Sequence, residues 1–209
     1  MEQLLGTFTV LFSIVNPFSA MPVFVALTES YSPEQRSDQA LKACLYMTGI
    51  LVVFYFAGNF VLNFFNLRIE DIRIAGGLLI MKSGLSLLNI DAHKGKPISK
   101  KVKLEGMQKE DISFTPLAMP LLSGPGAIAV CIGFYGKTVE IFDYVSVIVA
   151  IVTVSFISFL ILKSSFRLTK LLGKGGMAAL TRMMGFITLS IGVSFVLNGI
   201  LALAERLFP

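Results

Sequence analysis

Long uncharged apolar stretches alternate with short charged ones along the whole chain. Uncharged runs of 26, 25, 25 and 22 residues separate Glu2 from Glu29, Lys42 from Arg68, Asp111 from Lys137, and Arg182 from Glu205. A helix needs about 20 residues to cross about 30 Å of hydrocarbon, so each of these runs is long enough. Residues 144–162 add a run of 19, and residues 74–90 a shorter run of 17 with Lys82 at its middle, bounded by Asp71 and Asp91. The pattern predicts an all-α polytopic membrane protein with six transmembrane helices. Composition points the same way: 55% of the 209 residues are hydrophobic, 15% are charged, and the mean hydropathy is +0.78. A soluble domain carries about 25% charged residues.

The net charge of +5 follows the membrane segments rather than clustering with aromatic residues, which argues against nucleic acid as a partner. Arg36, Lys42, Lys94, Lys96, Lys100, Lys101, Lys103, Lys109, Lys163, Arg167, Lys170, Lys174 and Arg182 all follow helices 1, 3 or 5. The opposite side holds Arg68, Arg73, Lys137 and Arg206. Positive residues accumulate in cytoplasmic loops, so the first set is expected inside the cell and both termini outside, in a multi-pass inner-membrane protein. The first apolar run follows one acidic residue, has no basic leader and exceeds a cleavable hydrophobic region, so helix 1 is expected to stay in the mature protein. Residues 91–111 form the one long hydrophilic connection. They divide the chain into a three-helix unit at 1–90, a basic cytoplasmic linker, and a second three-helix unit at 112–209.

Little in the chain suggests enzyme chemistry. His93 is the single histidine and sits in the polar linker, while Cys44 and Cys131 fall inside apolar runs, where a thiol is ordinarily a small hydrophobe. No metal, cofactor or catalytic residue is expected, and no Asp or Glu lies inside the six runs to build a proton relay. Coupling to a proton or sodium gradient, if present, falls to backbone groups, Lys82, or rim acids such as Glu29, Glu140 and Asp143.

The two halves repeat one another. Pro17 in Asn16-Pro17-Phe18-Ser19-Ala20 and Pro125 in Ser123-Gly124-Pro125-Gly126-Ala127 stand 108 positions apart, each in the middle of its run. Arg73-x-x-Gly76 and Arg182-x-x-Gly185 open helices 3 and 6 at an offset of 109. Three crossings per unit place the second unit upside down relative to the first, an inverted repeat of the kind found in secondary transporters.

Proline lacks the N–H that would bond four residues back, so Pro17 and Pro125 free the carbonyls of Ser13 and Leu121, while Pro22 and Pro120 free those of Phe18 and Pro116. In hydrocarbon such groups need protein, water or ligand as partner, so these segments are expected to line a cavity. Asn16 reads as an N-cap with Pro17 at the first helical position, and Ser123 or Gly124 plays that role before Pro125. Helices 1 and 4 are thus expected to be broken at mid-membrane. Their second halves would offer positive helix ends to a carboxylate, and their first halves carbonyls near 12–15 and 118–121 to an ammonium group. Small residues at Ser19, Ala20, Gly126 and Ala127 suit a cramped pocket and a small zwitterion. Lys82, near the bilayer centre, is either a charge in the pathway or a side chain that reaches the interface. Gly76, Gly77, Gly84 and Gly192 read as close-packing surface.

Asn16-Pro17-x-x-x-x-Pro22, Arg73-x-Ala75-Gly76-Gly77 and Pro120-x-x-x-Gly124-Pro125-Gly126-Ala127-Ile128 resemble the signature segments of the MarC family of bacterial and archaeal inner-membrane proteins. The likeness covers nearly the whole chain, with Ser19 where many members carry glycine. The family is similar to LysE-type exporters, and its better understood members resemble transporters of small neutral amino acids such as glycine and alanine. The resemblance therefore implies a transporter. A membrane scaffold acting through the basic linker and a small ion-conducting pore are the competing readings, and the sequence leaves a homo-oligomer open.

Overall fold

The computed structural model describes residues 2–89, 111–135 and 141–207, and among these every regular element is helical. The helices are α1 (Glu2–Val15), α2 (Pro17–Leu27), α3 (Pro33–Phe64), α4 (Ile69–Leu88), α5 (Pro125–Tyr135), α6 (Ile141–Lys163) and α7 (Ser165–Leu207). Between α4 and α5 lies a wound, non-α segment, Ser113–Leu122. Most of the linker, with His93 and the Lys94 to Lys109 cluster, lies outside the described residues, as do Lys137 and Glu140.

Local chemistry sets the boundaries. At the start of α3 the Ser32 hydroxyl accepts from Gln35 N at 3.2 Å, while Gln35 Oε1 accepts from Ser32 N at 2.8 Å. Pro33 fills the first helical position, so two otherwise orphaned donors are satisfied at once. Arg36 closes the preceding turn: its Nε and Nη2 donate to Thr28 O and Glu29 O, each at 2.9 Å. Its guanidinium stacks 3.5 Å from the Phe166 ring centroid on α7. Gly173, at φ 62°, divides α7 into a short leading turn and a long shaft.

Four stretches are long and apolar enough to cross a bilayer: Leu4–Leu27, Pro33–Phe64, Ile141–Lys163 and Gly175–Arg206. The wound segment and α5, bent by 65°, form a fifth if taken together. The sixth expected span, α4, has 20 residues, about 30 Å of helix, but Glu70, Asp71, Arg73 and Lys82 leave it outside the strongly apolar set.

The core is formed by α1–α2, α3, the wound segment, α5 and α6, with Leu11, Met21, Phe24, Met47, Leu51, Tyr55, Leu117 and Ile151 fully buried. Large apolar side chains such as Phe60, Phe64, Phe142, Phe156 and Phe186 point outward instead, as a lipid-facing surface requires. Hydroxyls join α3 to α6: Thr48 Oγ1 donates to Ser155 Oγ at 2.7 Å, and Ser155 Oγ to Cys44 O at 2.8 Å.

The most extensive helix pair is α4 with α7, packed antiparallel on glycine as the sequence suggests. A Cβ on Gly84 would sit 2.6 Å from Leu189 N and 2.9 Å from Gly185 O, and one on Gly77 2.8 Å from Gly192 O. Only hydrogen fits there. This seam holds α4 against the shaft of α7 and positions Ile80 and Thr188 beside the helix breaks.

Candidate functional site

The first break is confined to one residue. Asn16 adopts the left-handed conformation (φ 41°, ψ 72°), which asparagine tolerates better than most residues. Its N–H still bonds Phe12 O at 2.9 Å, closing α1, and its carbonyl accepts from Ser19 N at 3.0 Å and Ser19 Oγ at 2.8 Å, opening α2. The side-chain Oδ1 accepts weakly from Ser19 N at 3.3 Å, with Pro17 at the first helical position. The capping read from the sequence is therefore present. Despite the break, α1 and α2 together make one 24-residue stretch, Leu4–Leu27.

The carbonyl that Pro17 frees, expected from the sequence to face a cavity, has a donor from the protein itself. Thr188 Oγ1, from the shaft of α7, donates to Ser13 O at 2.8 Å, and both residues are buried. Thr188 is also 2.8 Å from Met184 O on its own helix. Sequence reasoning missed this residue, because its partner lies 175 positions away and one threonine in an apolar helix carries no local signal. One group at the break is left over: Asn16 is 2% exposed and its Nδ2 has no hydrogen-bond partner among the described residues.

The second break is built differently. Helix 4 was expected as two half-helices, but its first part is not α-helical: Thr115 and Met119 are extended (φ −124°, ψ 119°; φ −128°, ψ 125°). Each precedes a proline, whose ring disfavours helical backbone in the residue before it, and both peptide bonds, Thr115–Pro116 and Met119–Pro120, are cis. The segment is held by longer-range bonds, Leu117 N to Ile112 O at 3.3 Å and Ser123 N to Ala118 O at 2.8 Å. The Ala118 carbonyl, expected to be free for an ammonium group, is thus already occupied. Gly124 supplies the cap carbonyl of α5, accepting from Ile128 N at 3.2 Å. Ser123 does not cap: its side chain is fully buried and Oγ has no partner among the described residues.

The two breaks lie side by side. A Cβ added at Gly126 would meet Ile80 Cγ1 at 3.0 Å and Ile14 Cγ2 at 3.7 Å, so the first turn of α5 rests on α4 and on the last turn of α1. Pro17, Ala20 and Ala127 are buried, and Phe18, Ser19, Gly124 and Gly126 are half-buried. Phe18 packs edge-on against Phe12, with ring centroids 6.2 Å apart. Pro125 is exposed in a largely apolar cleft of about 380 Å³ lined by Ile72, Met119, Pro120, Ser123 and Ile128 among others. Lys82 does not join this group. Ile80 and Gly84 face inward on α4, and Lys82, two positions on from Ile80, is exposed on the far side of the helix.

At the far end of α4, Arg73 shares a cavity of about 30 Å³ with Phe134, Phe195 and Asn198. Asp111, just before the wound segment, accepts from the Ser113 hydroxyl and from Ser113 N, which hold its carboxyl below the usual carboxylate range.

The amino-acid sequence is similar to that of known membrane proteins over nearly its full length. The family model described as "MarC family integral membrane protein" matches residues 1–204. A UPF0056 membrane protein of Methanocaldococcus jannaschii is 36% identical over 203 residues, covering 96% of this chain and 97% of its own. The UPF0056 inner membrane protein MarC of Citrobacter koseri is 34% identical over 205 residues (94% and 93%), and that of Escherichia coli 36% over 208 (94% and 93%). No solved structure matches the chain. With the family model and relatives above 30% identity both spanning nearly the full length, the chain belongs to the MarC family of integral membrane proteins.

Proposed function

We propose that this protein is a secondary transporter of the inner membrane that carries a small zwitterionic solute, of the glycine or alanine type, by alternating access. The observation that carries the reading is the placement of two buried side chains. Asn16 Nδ2 and Ser123 Oγ, one at each helix break, have no hydrogen-bond partner among the described residues. Burying an unpartnered polar group costs about 1–3 kcal/mol, so its retention calls for a reason. Both groups can donate a hydrogen bond, and both sit next to a restarting helix, so a ligand carboxylate suits them. The small residues around them limit the size of the ligand.

An inverted repeat with both termini outside supplies the transport geometry, and the packing supports it. Under a shift of 108, the offset of Pro17 and Pro125, Gly77 becomes Gly185 and Gly84 becomes Gly192. The contacts Gly77 to Gly192 and Gly84 to Gly185 therefore exchange with one another, as contacts do across a two-fold axis. The other neighbours exchange too: α4 packs on α5 and α7 on α2, while α1 packs on α6 and the wound segment on α3. In this register α4 is the counterpart of the α7 shaft and counts as the third crossing of its half.

Reconstitution into liposomes with labelled glycine and alanine tests the proposal. Saturable uptake is expected, at least tenfold reduced by Gly126→Leu or Pro125→Leu with the protein still inserted. Uptake unchanged by either substitution would refute the site, and conductance without saturation would favour a pore.

A further inference from the structure

Thr188 stands at the first break with one hydroxyl hydrogen and two acceptors. Its Oγ1 lies 2.8 Å from Ser13 O and 2.8 Å from Met184 O, and its side chain is fully buried. Ser13 O can have no donor from its own helix, because the residue four positions on is Pro17. Met184 O, by contrast, belongs to an unbroken helical turn, so a hydroxyl bond to it is an addition. When the hydroxyl turns to Ser13 the break is sealed. When it turns to Met184, the Ser13 carbonyl is an unpartnered acceptor one turn from the unpartnered donor Asn16 Nδ2.

An acceptor and a donor separated by one turn suit the two ends of an α-amino acid. We propose that the Ser13 carbonyl is the ammonium subsite of the transport site and that Thr188 is its gate, a positioning residue on the second half that occupies the subsite until ligand arrives. The inference rests on the transporter reading above. It adds that the occupant must carry N–H donors, since only these replace what Thr188 withdraws. Rotation about one side-chain bond exchanges the two states without unwinding either helix. It also ties ligand arrival at α1 to a change on α7, the helix that pairs with α4 across the two halves.

The test is equilibrium binding of glycine, and of N,N,N-trimethylglycine as a carboxylate probe without N–H groups, to full-length protein in detergent. Thr188→Val removes the competing donor while keeping the side-chain shape, Thr188→Ala does so with a smaller group, and Thr188→Ser restores the hydroxyl. Glycine is expected to bind several-fold more tightly to the Val and Ala variants than to the unsubstituted protein. The Ser variant should match the unsubstituted protein, and trimethylglycine should gain nothing from any substitution. Equal or weaker glycine binding in both the Val and Ala variants would overturn the gate while leaving the transporter reading in place, as would an equal gain for trimethylglycine. Absence of saturable glycine or alanine binding to the unsubstituted protein would overturn the transporter reading, and the subsite with it.

Discussion

The two helix breaks answer the same problem, a proline in the middle of a membrane segment, in opposite ways. At Pro17 the interruption is one residue wide. Asn16 absorbs it in a left-handed turn, and Thr188 donates to the carbonyl that the proline frees. At Pro125 the equivalent freed carbonyl is that of Leu121, and the position 108 before Thr188 is Ile80, which has no hydroxyl to offer. The backbone there forms no α-helix: a 10-residue segment is wound with longer bonds, and α5 leaves it at 65°. Pro116 and Pro120 reinforce the outcome by excluding helical backbone at Thr115 and Met119. A proline break therefore stays local where the other half of the molecule can supply a donor, and spreads where it cannot.

The largest expected effect lies beneath both breaks, at the seam that holds α4 and α7 together. Gly84→Leu would drive a side chain into α7 backbone 2.6 Å away. A cost of about 3 kcal/mol or more is expected, with loss of most folded protein in detergent by size-exclusion chromatography. Gly49→Leu, at a position with nothing within 4 Å of the added Cβ, should leave the yield unchanged.

Next in size is a split between stability and transport at the second break. Ser123→Ala removes a buried hydroxyl that has no partner, so the melting temperature should hold or rise, while glycine uptake falls about tenfold. At the first break Asn16→Gly keeps the positive φ and costs only about a few tenths of a kcal/mol as a cap, yet should lower uptake to a similar degree. A parallel loss of stability and uptake in both would mean that these residues are merely structural.

A smaller effect isolates the donor that distinguishes the first break. Thr188→Val should destabilise the protein by about 1 kcal/mol, the net worth of a buried hydrogen bond. In a Pro17→Ala background the restored N–H can serve Ser13, so the same substitution should cost less than half as much by chemical or thermal unfolding. Equal costs in the two backgrounds would break the explanation of why the two sites differ.

The smallest effect belongs to the entry of the wound segment. Asp111, stabilised as carboxylate by Ser113, has a lowered pKa. Its contribution is present above the unfolded carboxylate value, near pH 4, and is lost as the pH falls through the lower folded value. Asp111→Asn should remove that part of the acid sensitivity of melting, as followed by thermal scans from pH 6 to pH 3.

Much of this was legible in the sequence for simple reasons. Charge-free runs mark the long helices because hydrocarbon excludes charge. Pro17 and Pro125 mark the breaks because proline lacks a donor, and Gly77, Gly84 and Gly192 mark the seam because no side chain fits there. What was not legible depends on partners distant in the chain or on small differences of register. Thr188 is an ordinary residue until Ser13 is placed beside it. Lys82 reads as central in the run, but the turn of α4 that buries Ile80 and Gly84 points it outward. The Arg73 and Arg182 motifs gave an offset of 109, whereas the glycine contacts obey 108, so the two motifs are displaced by one residue within their helices. Three prolines across positions 116–125, Pro116, Pro120 and Pro125, warn against a half-helix before the second break only when weighed together, and Ser123 shows its importance only through being buried without a partner among the described residues.

On the proposed reading, both breaks contribute to one site for one small zwitterion. Binding of labelled glycine to purified protein, measured for the unsubstituted chain, Asn16→Gly and Ser123→Ala, tests it most directly. A single saturable site, weakened about tenfold by either substitution, is expected. A site that responds to one substitution and ignores the other would contradict it.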